Sequence, residues 1–232
     1  MAMTLVGEKI FTVDQAWANK YPHAKAGILV IENIENTDSH PELNSVAAEV
    51  ECKLQAQYAG FSREQLNELP IIKTYNNYYK NFGKTYHVRA QLESIVNGKP
   101  LSSASAVITA MFIAEVKNML LTAGHDCFTL ELPARITVAS GKETFTDIRK
   151  AEKTVPEGDM IMMDGEGVIS SIILGPDSRT KLTPSVQNVM FAVYAPAEVE
   201  KELVHSHMKD IETYVKTFSP TAETQFIEIF EA

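Results

Sequence analysis

The segment SSASAVITAMFIAEVKNMLLTAG is the most apolar part of the chain, and it limits the possible folds more than any other feature. Its hydrophobic residues recur on every side of a helix, which is typical of a helix buried in a core. The pattern predicts a helix from Ser103 to Thr122 that ends at Gly124, because glycine is favoured just past a helix end. A helix of this kind must be covered on all sides, so we expect the other elements to pack around it.

After Gly124 the pattern changes to short segments rich in Ile, Val, Thr and Phe, which are typical of β-strands. The predicted strands are ARITVAS, KETFTDI, MIMMD, GVISSIIL, VQNVMFAVYA and TQFIEIF, together with an earlier strand at AGILVIENI. Asp164 to Gly167 should form a hairpin turn. The apolar spacing in PELNSVAAEVECKLQAQY and in EVEKELVHSHMKDIETYVKTF predicts two more helices.

This order of elements indicates an α+β fold, in which a mixed β-sheet is packed by helices in a single compact unit. The sheet is expected to come mainly from segments after Ala134. We expect one domain over residues 1–232, in which residues 1–75 add an N-terminal strand and helices.

The composition excludes several classes of function. The chain has 232 residues and a formal net charge of −9, which is unfavourable for a general nucleic-acid-binding protein. No segment is apolar enough to cross a membrane and the first residues lack a targeting pattern, so the cytoplasm is the expected location. No residues have metal-ligand spacing and no nucleotide-binding glycine motif occurs, so we expect no metal, no cofactor, no DNA partner and no membrane partner. The oligomeric state is left open.

The segment from Ile71 to Lys99 has a charge balance opposite to that of the whole chain. Lys80, Lys84 and Arg89 lie there among several tyrosines. Cations and aromatic faces together suit a single-stranded RNA end, which needs phosphate contacts and base stacking. We therefore predict RNA contact at these three cations. The alternative is that the aromatic residues belong to the core and the lysines are merely solvated.

Polar residues interrupt the apolar helix on one face. Glu115, Asn118 and Thr122 share this face, and His125 and Asp126 follow the expected helix end. Burying an unpaired carboxylate is costly, so the face either meets solvent or lines a polar pocket.

Several short motifs occur in an order that resembles a known family. The run YHVRAQLESIVNGKPL, the apolar helix and LLTAGHDCFTL are followed by TVASGKETFTDI, MIMMDGEGVISSIILGPDSRT and VMFAVYAPAEV. Over roughly Asn76 to Ala232, they resemble the amino-acid-editing domain of the phenylalanyl-tRNA synthetase beta subunit. The chain departs from that family at or near Val138, where an arginine is usual, and His125 is only near the position of the family's pocket histidine.

The resemblance implies an editing-domain-like fold and a free-standing deacylase that hydrolyses mischarged aminoacyl-tRNA. Its partner would be aminoacyl-tRNA or an amino acid. With this function in view, we predict from the polar face and the residues after it that Asn118, His125 and Asp126 are catalytic. Glu115, Glu143 and Arg179 are the predicted substrate-binding residues. For Arg179 the alternative is an ion pair with Asp177.

A second class of function stays open beside the deacylase. A pocket of this kind could bind a free amino acid or a related metabolite without catalysis. The net charge of −9 favours this reading, whereas the resemblance and the lack of any serine or cysteine nucleophile motif favour the deacylase.

Overall fold

The computed structural model describes residues 10–101 and 104–232. The helices in these ranges are α1 Gln15–Lys20, α2 Pro41–Gln57, α3 Arg63–Asn67, α4 Pro70–Lys80, α5 His87–Val96, α6 Ala106–Asn118 and α7 Lys201–Phe218. The strands are β1 Phe11–Val13, β2 Lys25–Glu32, β3 Leu121–Asp126, β4 Ala134–Val138, β5 Thr144–Thr146, β6 Glu152–Thr154, β7 Met160–Met163, β8 Val168–Ser171, β9 Gly175–Pro176, β10 Val189–Ala195 and β11 Glu223–Glu231. The predicted absence of a targeting signal depends on the first nine residues, which lie outside the described ranges.

The strands form two main sheets and a small arm. One sheet has four antiparallel strands in the order β11-β2-β10-β3. The other has the order β1-β4-β7-β8-β9, and it is mixed because β1 runs parallel to β4. Strands β5 and β6 pair only with each other and form the arm, residues 144–154. The predicted α+β fold, with a mixed sheet packed by helices in a compact unit, is confirmed.

The mixed sheet is built mainly from the predicted part of the chain, because four of its five strands begin at Ala134 or later, whereas the separate four-stranded sheet was not predicted. Strands β2 and β3 lie before that residue and make up half of this sheet. Every residue from Ala26 to Ile31 in β2 is buried. A Cβ atom on Gly27 would lie 2.8 Å from Cγ1 of Val204, so α7 packs closely against this strand.

The apolar segment forms a helix and then a strand, and not one long helix. Helix α6 begins at Ala106 and ends at Asn118, so the predicted helix end at Gly124 is wrong. Met119 adopts a left-handed conformation with φ of 58°, and the chain then enters β3. Gly124 lies in β3 opposite Phe191 of β10. Ser103, the predicted first residue of the helix, lies outside the described residues.

The tyrosines of the basic segment belong to the core. Tyr75, Tyr78, Tyr79 and Tyr86 are all buried. Their hydroxyls bond inside the protein: that of Tyr78 donates to Asp159 at 2.6 Å and that of Tyr79 to the carbonyl of Ile172 at 2.8 Å. These rings cannot stack on RNA bases, so the predicted aromatic part of an RNA surface is wrong.

Candidate ligand-binding cleft

A cleft of about 1010 Å³ opens between the helices and the two sheets. Its walls come from α5 and α6 on one side and from β3, β8 and β9 on the other, and the tip of the arm borders its mouth. The apolar part of the wall includes Ile108, Met111, Phe112, Leu121 and Leu182. A concave, mainly apolar space with a few polar groups is typical of a small-molecule site.

Glu115 brings a carboxyl group to this cleft from α6. The residue is 2% exposed, and its Oε1 accepts a hydrogen bond of 2.8 Å from the backbone N–H of Thr122. No ion pair involves Glu115 among the described residues. Burial raises the pKa of Glu115 to about 8, although the Thr122 hydrogen bond acts in the opposite direction. The cleft therefore contains a buried acid that lacks a cation.

Further polar groups line the same space. Gln91 on α5 contributes an Oε1 atom that is buried and has no hydrogen-bond partner within the described part of the chain. The hydroxyls of Ser170 and Tyr194 bond to each other in the opposite wall. The Gln91 Oε1 atom is an acceptor, and the Glu115 carboxyl becomes an acceptor on both oxygens when a nearby cation favours its ionised form. Together they suit a ligand that donates and carries positive charge, such as an ammonium group.

Four cations line the cleft at exposed or half-buried positions, and we call them the mouth cations: Lys84, Arg149, Lys153 and Lys181. The carboxylate of Asp147 accepts hydrogen bonds of 2.9 Å from the N–H groups of Arg149 and Ala151, which shape the tip of the arm. These backbone hydrogen bonds hold the pKa of Asp147 below its ordinary value. Lys153 lies 3.7 Å from the same carboxylate. The mouth is therefore electropositive, although the chain as a whole is acidic.

The structure does not bring the three predicted catalytic residues together, and none of them lines the cleft. Asn118 points towards α7, where its Nδ2 donates to Asp210 at 2.8 Å. Asp126 accepts from the N–H of Phe128 at 3.0 Å and closes a short turn after β3. Between Asn118 and Asp126 the chain runs the length of β3, whose residues Leu121 to Asp126 span about 17 Å. The catalytic roles of Asn118, His125 and Asp126 stay untested predictions.

His125 lies in the core. Its Nδ1 is 2.8 Å from the hydroxyl of Thr180, and that hydroxyl donates to Asp177. The Thr180 hydrogen is therefore already used, so Nδ1 of His125 must carry the proton and donate. Burial lowers the pKa of His125 to about 3, which keeps the ring neutral.

Arg179 and Glu143 are engaged in local structure outside the cleft. Arg179 Nη2 donates to both carboxylate oxygens of Asp164 at 2.8 Å, and its Nε lies 3.2 Å from Glu166. It thus fastens the β7–β8 turn, and its Nε also lies 3.9 Å from Asp177, the ion-pair partner of the expected alternative. Glu143 accepts from the N–H of Ser140 at 2.9 Å within its own turn. Contact of either residue with substrate stays a prediction without geometric support.

Of the predicted RNA-contacting residues, only Lys84 lines the cleft. Lys80 is exposed near the end of α4. Arg89 is mostly buried and forms an ion pair with Glu93. Sequence reasoning missed Gln91, Ser170 and three of the mouth cations, because these residues lie in separate segments that only the fold brings together.

Among the described residues, no group of three or more histidine, cysteine or acidic side chains is placed to hold a metal ion. In the same ranges, no helix combines the length and apolar character that a membrane span requires.

The chain matches no protein-family model and no curated protein sequence. Among solved structures, it is similar to an N-terminal fragment of the phenylalanyl-tRNA synthetase beta-subunit from Pyrococcus horikoshii, with a TM-score of 0.50 and 12% sequence identity. The match covers 97% of this chain and 54% of the fragment, so the chain spans about half the length of that structure. At this identity the likeness concerns the fold alone. The chain therefore shares, at the level of the fold, the architecture of part of a tRNA synthetase beta-subunit.

Proposed function

We propose that the cleft receives the aminoacyl end of a mischarged tRNA and that the protein hydrolyses the ester bond. The observation that carries this proposal is Glu115, a buried carboxyl without a cation in a cleft whose mouth is electropositive. An aminoacyl-tRNA end has a complementary pattern of charge, with an ammonium on the amino acid and phosphates a few bonds away. The fold-level likeness to a synthetase fragment supports the same class of partner.

Each part of the ligand has a matching part of the cleft. The α-ammonium would pair with Glu115, with Gln91 as a second acceptor. A bulky or aromatic side chain would lie against Ile108, Met111 and Phe112. The phosphates would remain at the mouth.

The chemistry requires an oriented water and no covalent nucleophile. The water oxygen attacks the ester carbonyl, the bond to the ribose oxygen breaks, and that oxygen takes up the proton that the water loses. The products are a free amino acid and an uncharged tRNA. Because the ester is already activated, positioning and a few hydrogen bonds can supply a useful rate.

The test is release of amino acid from a panel of mischarged aminoacyl-tRNAs. Glu115→Gln should lower kcat/KM by about tenfold or more, since an ion pair to the ammonium becomes a neutral contact. Asp126→Ala is the matched control, because it removes a carboxylate outside the cleft, and its kcat/KM should stay within about twofold. A large loss in the Asp126 variant with none in the Glu115 variant would instead support the catalytic residues expected from the sequence.

A second candidate is a non-catalytic pocket for a free amino acid or a related metabolite. It is favoured by the position of Asn118, His125 and Asp126, none of which lines the cleft. Calorimetric titration with free amino acids distinguishes the two functions. Tight binding without release of amino acid from any charged tRNA would select the pocket protein.

A further inference from the structure

Several cations of this acidic protein line one cleft and are free of close carboxylates. Many lysines and arginines of the helices are neutralised by nearby carboxylates, as in the pairs of Lys53 with Glu49 and of Lys73 with Glu68. In residues 10–101 and 104–232, Lys84, Arg149 and Lys181 form no ion pair within 4 Å, and all three border the cleft. Lys153 has only the distant Asp147 at 3.7 Å. Three unpaired cations and one weakly paired lysine thus line one cleft, whereas other unpaired cations of the described residues, such as Lys80, Lys99 and Arg135, lie elsewhere on the surface.

The mouth cations come from three separate segments of the chain. Lys84 lies between α4 and α5, Arg149 and Lys153 belong to the arm, and Lys181 follows β9. Next to Arg149, at the tip of the arm, Ile148 is 49% exposed. An exposed apolar side chain beside a guanidinium offers a surface for a nucleobase, while the cations reach the adjoining phosphates.

The acidic surface outside the cleft limits how much of a nucleic acid the protein can bind. With a net charge of −9, the surface beyond the mouth repels a long polyanion. We propose that the protein recognises only the last nucleotides of a charged RNA, through the four mouth cations, and does not read the tRNA body. This inference rests on the proposed function, because it specifies how the substrate of that cleft is held.

The inference has a quantitative signature in the salt dependence of binding. For single strands, log K falls with log salt with a slope of roughly −0.7 per neutralised phosphate. Four mouth cations therefore predict a slope of about −3 or shallower for any RNA that carries the correct end. Contacts with a tRNA body would add phosphates and make the slope for full-length tRNA steeper.

The test uses ligands in which an amide replaces the ester, so that binding is measured without hydrolysis. One is a single-stranded pentanucleotide that ends in CCA, the common 3′ end of tRNA, and carries an amide-linked amino acid, so that it offers four phosphates. The other is full-length tRNA with the same end. The two should bind within about threefold of each other and have equal salt slopes. Arg149→Ala/Lys181→Ala should weaken both by about tenfold or more at low salt. The control Lys53→Ala/Lys73→Ala removes two charges from ion pairs outside the cleft, and it should change neither affinity.

Two results would overturn the inference: a preference of about thirtyfold or more for full-length tRNA, or unchanged affinity in the mouth variant. Its failure can be distinguished from failure of the proposed function. If both RNA ligands bind as expected but no charged tRNA is hydrolysed, the deacylase is wrong and the mode of binding stands. If the protein hydrolyses amino acid esters that lack RNA but binds neither RNA ligand, the hydrolysis stands and the mode of binding is wrong.

Discussion

Glu115 links the protein's stability to pH with a sign that is unusual for a carboxyl group. Its pKa is raised from 4.5 to about 8 by burial, so the folded state holds the proton more tightly than the unfolded state does. The associated stability is complete below about pH 4.5 and is lost as the pH rises through about 8.

Glu115→Gln should therefore remove part of the decline in the free energy of unfolding between pH 5 and pH 9. From pH 5 to pH 9, the free energy of unfolding should fall on the order of 2–4 kcal/mol less in the Glu115→Gln variant than in the wild type. Urea denaturation at both pH values measures it, with Glu228→Gln, at an exposed position of β11, as the control. Identical pH profiles for wild type and the Glu115 variant would contradict a raised pKa.

Arg179 offers a direct choice between a structural role and a role in binding. Its Nη2 donates to Asp164, its Nη1 donates to the carbonyl of Thr129 and its Nε lies 3.2 Å from Glu166, and lysine cannot reproduce this planar fork. Arg179→Lys should lower the free energy of unfolding by about 1–3 kcal/mol and leave ligand affinity at the cleft unchanged. Arg135→Lys, at an exposed position of β4, should have little effect on stability. Loss of affinity at unchanged stability would restore the ligand contact predicted from the sequence.

Single residues of the cleft could be predicted only where the local pattern was anomalous. Glu115 was found because an acid in the middle of an apolar helix requires an explanation. No short stretch of sequence identifies Arg149, Lys153 and Lys181 as cleft residues, because arginines and lysines are common in loops and turns. Their common position depends on how the arm folds towards β9.

Among the elements, β2 and α7 are in such close contact that a single methyl group should disturb them. Gly27→Ala would place its Cβ 2.8 Å from Val204 Cγ1 and 3.0 Å from Met208 Sδ. We expect a loss of about 1–3 kcal/mol in the free energy of unfolding, as is typical of overpacking. Thermal denaturation measures it.

The matched variant Gly27→Ala/Val204→Ala tests the cause of that loss. It removes the atom in contact, so it should be destabilised by less than the sum of the two single variants. Strict additivity would show that the contact with α7 is not the source of the effect.

Hydrophobic periodicity predicts some of the helices and strands correctly and fails for others. Strands with flanking turn residues, such as β7 and β8 around Asp164 to Gly167, were predicted correctly. The segment that forms α6 and β3 is mostly buried, and an apolar run of this kind fits a buried helix or a buried strand equally well. Only Met119 and Leu120 separate the two elements, and methionine carries no sequence signal for the left-handed conformation of Met119.

For the molecule as a whole, two buried histidines should make folding sensitive to acid. Burial lowers the pKa of His125 to about 3 and that of His207 to about 4. An unfolded chain binds protons at these positions below about pH 6.5 and the folded protein does not, so their contribution destabilises the fold as the pH falls from there towards 4. Asp159, whose pKa burial raises to about 6, contributes with the opposite sign.

Each histidine can be tested separately through the slope of stability against pH. Near pH 5, His125→Gln or His207→Gln should change that slope by about one proton, or roughly 1.4 kcal/mol per pH unit. Chemical denaturation at pH 4.5, 5 and 5.5 provides the measurement. The exposed His205 is the control, and a change in its variant equal to that of the buried positions would contradict the interpretation.

The strand order of the four-stranded sheet has a consequence for how the protein is made. Strand β2 ends at Glu32, yet both of its neighbours come late in the chain, β10 beginning at Val189 and β11 at Glu223. While the ribosome is still synthesising the intervening helices, the apolar β2 has no partner on either edge. Unpaired strand edges invite association with other chains. Efficient production in a cell should therefore depend on chaperones that shield nascent β2 until the last strands have emerged.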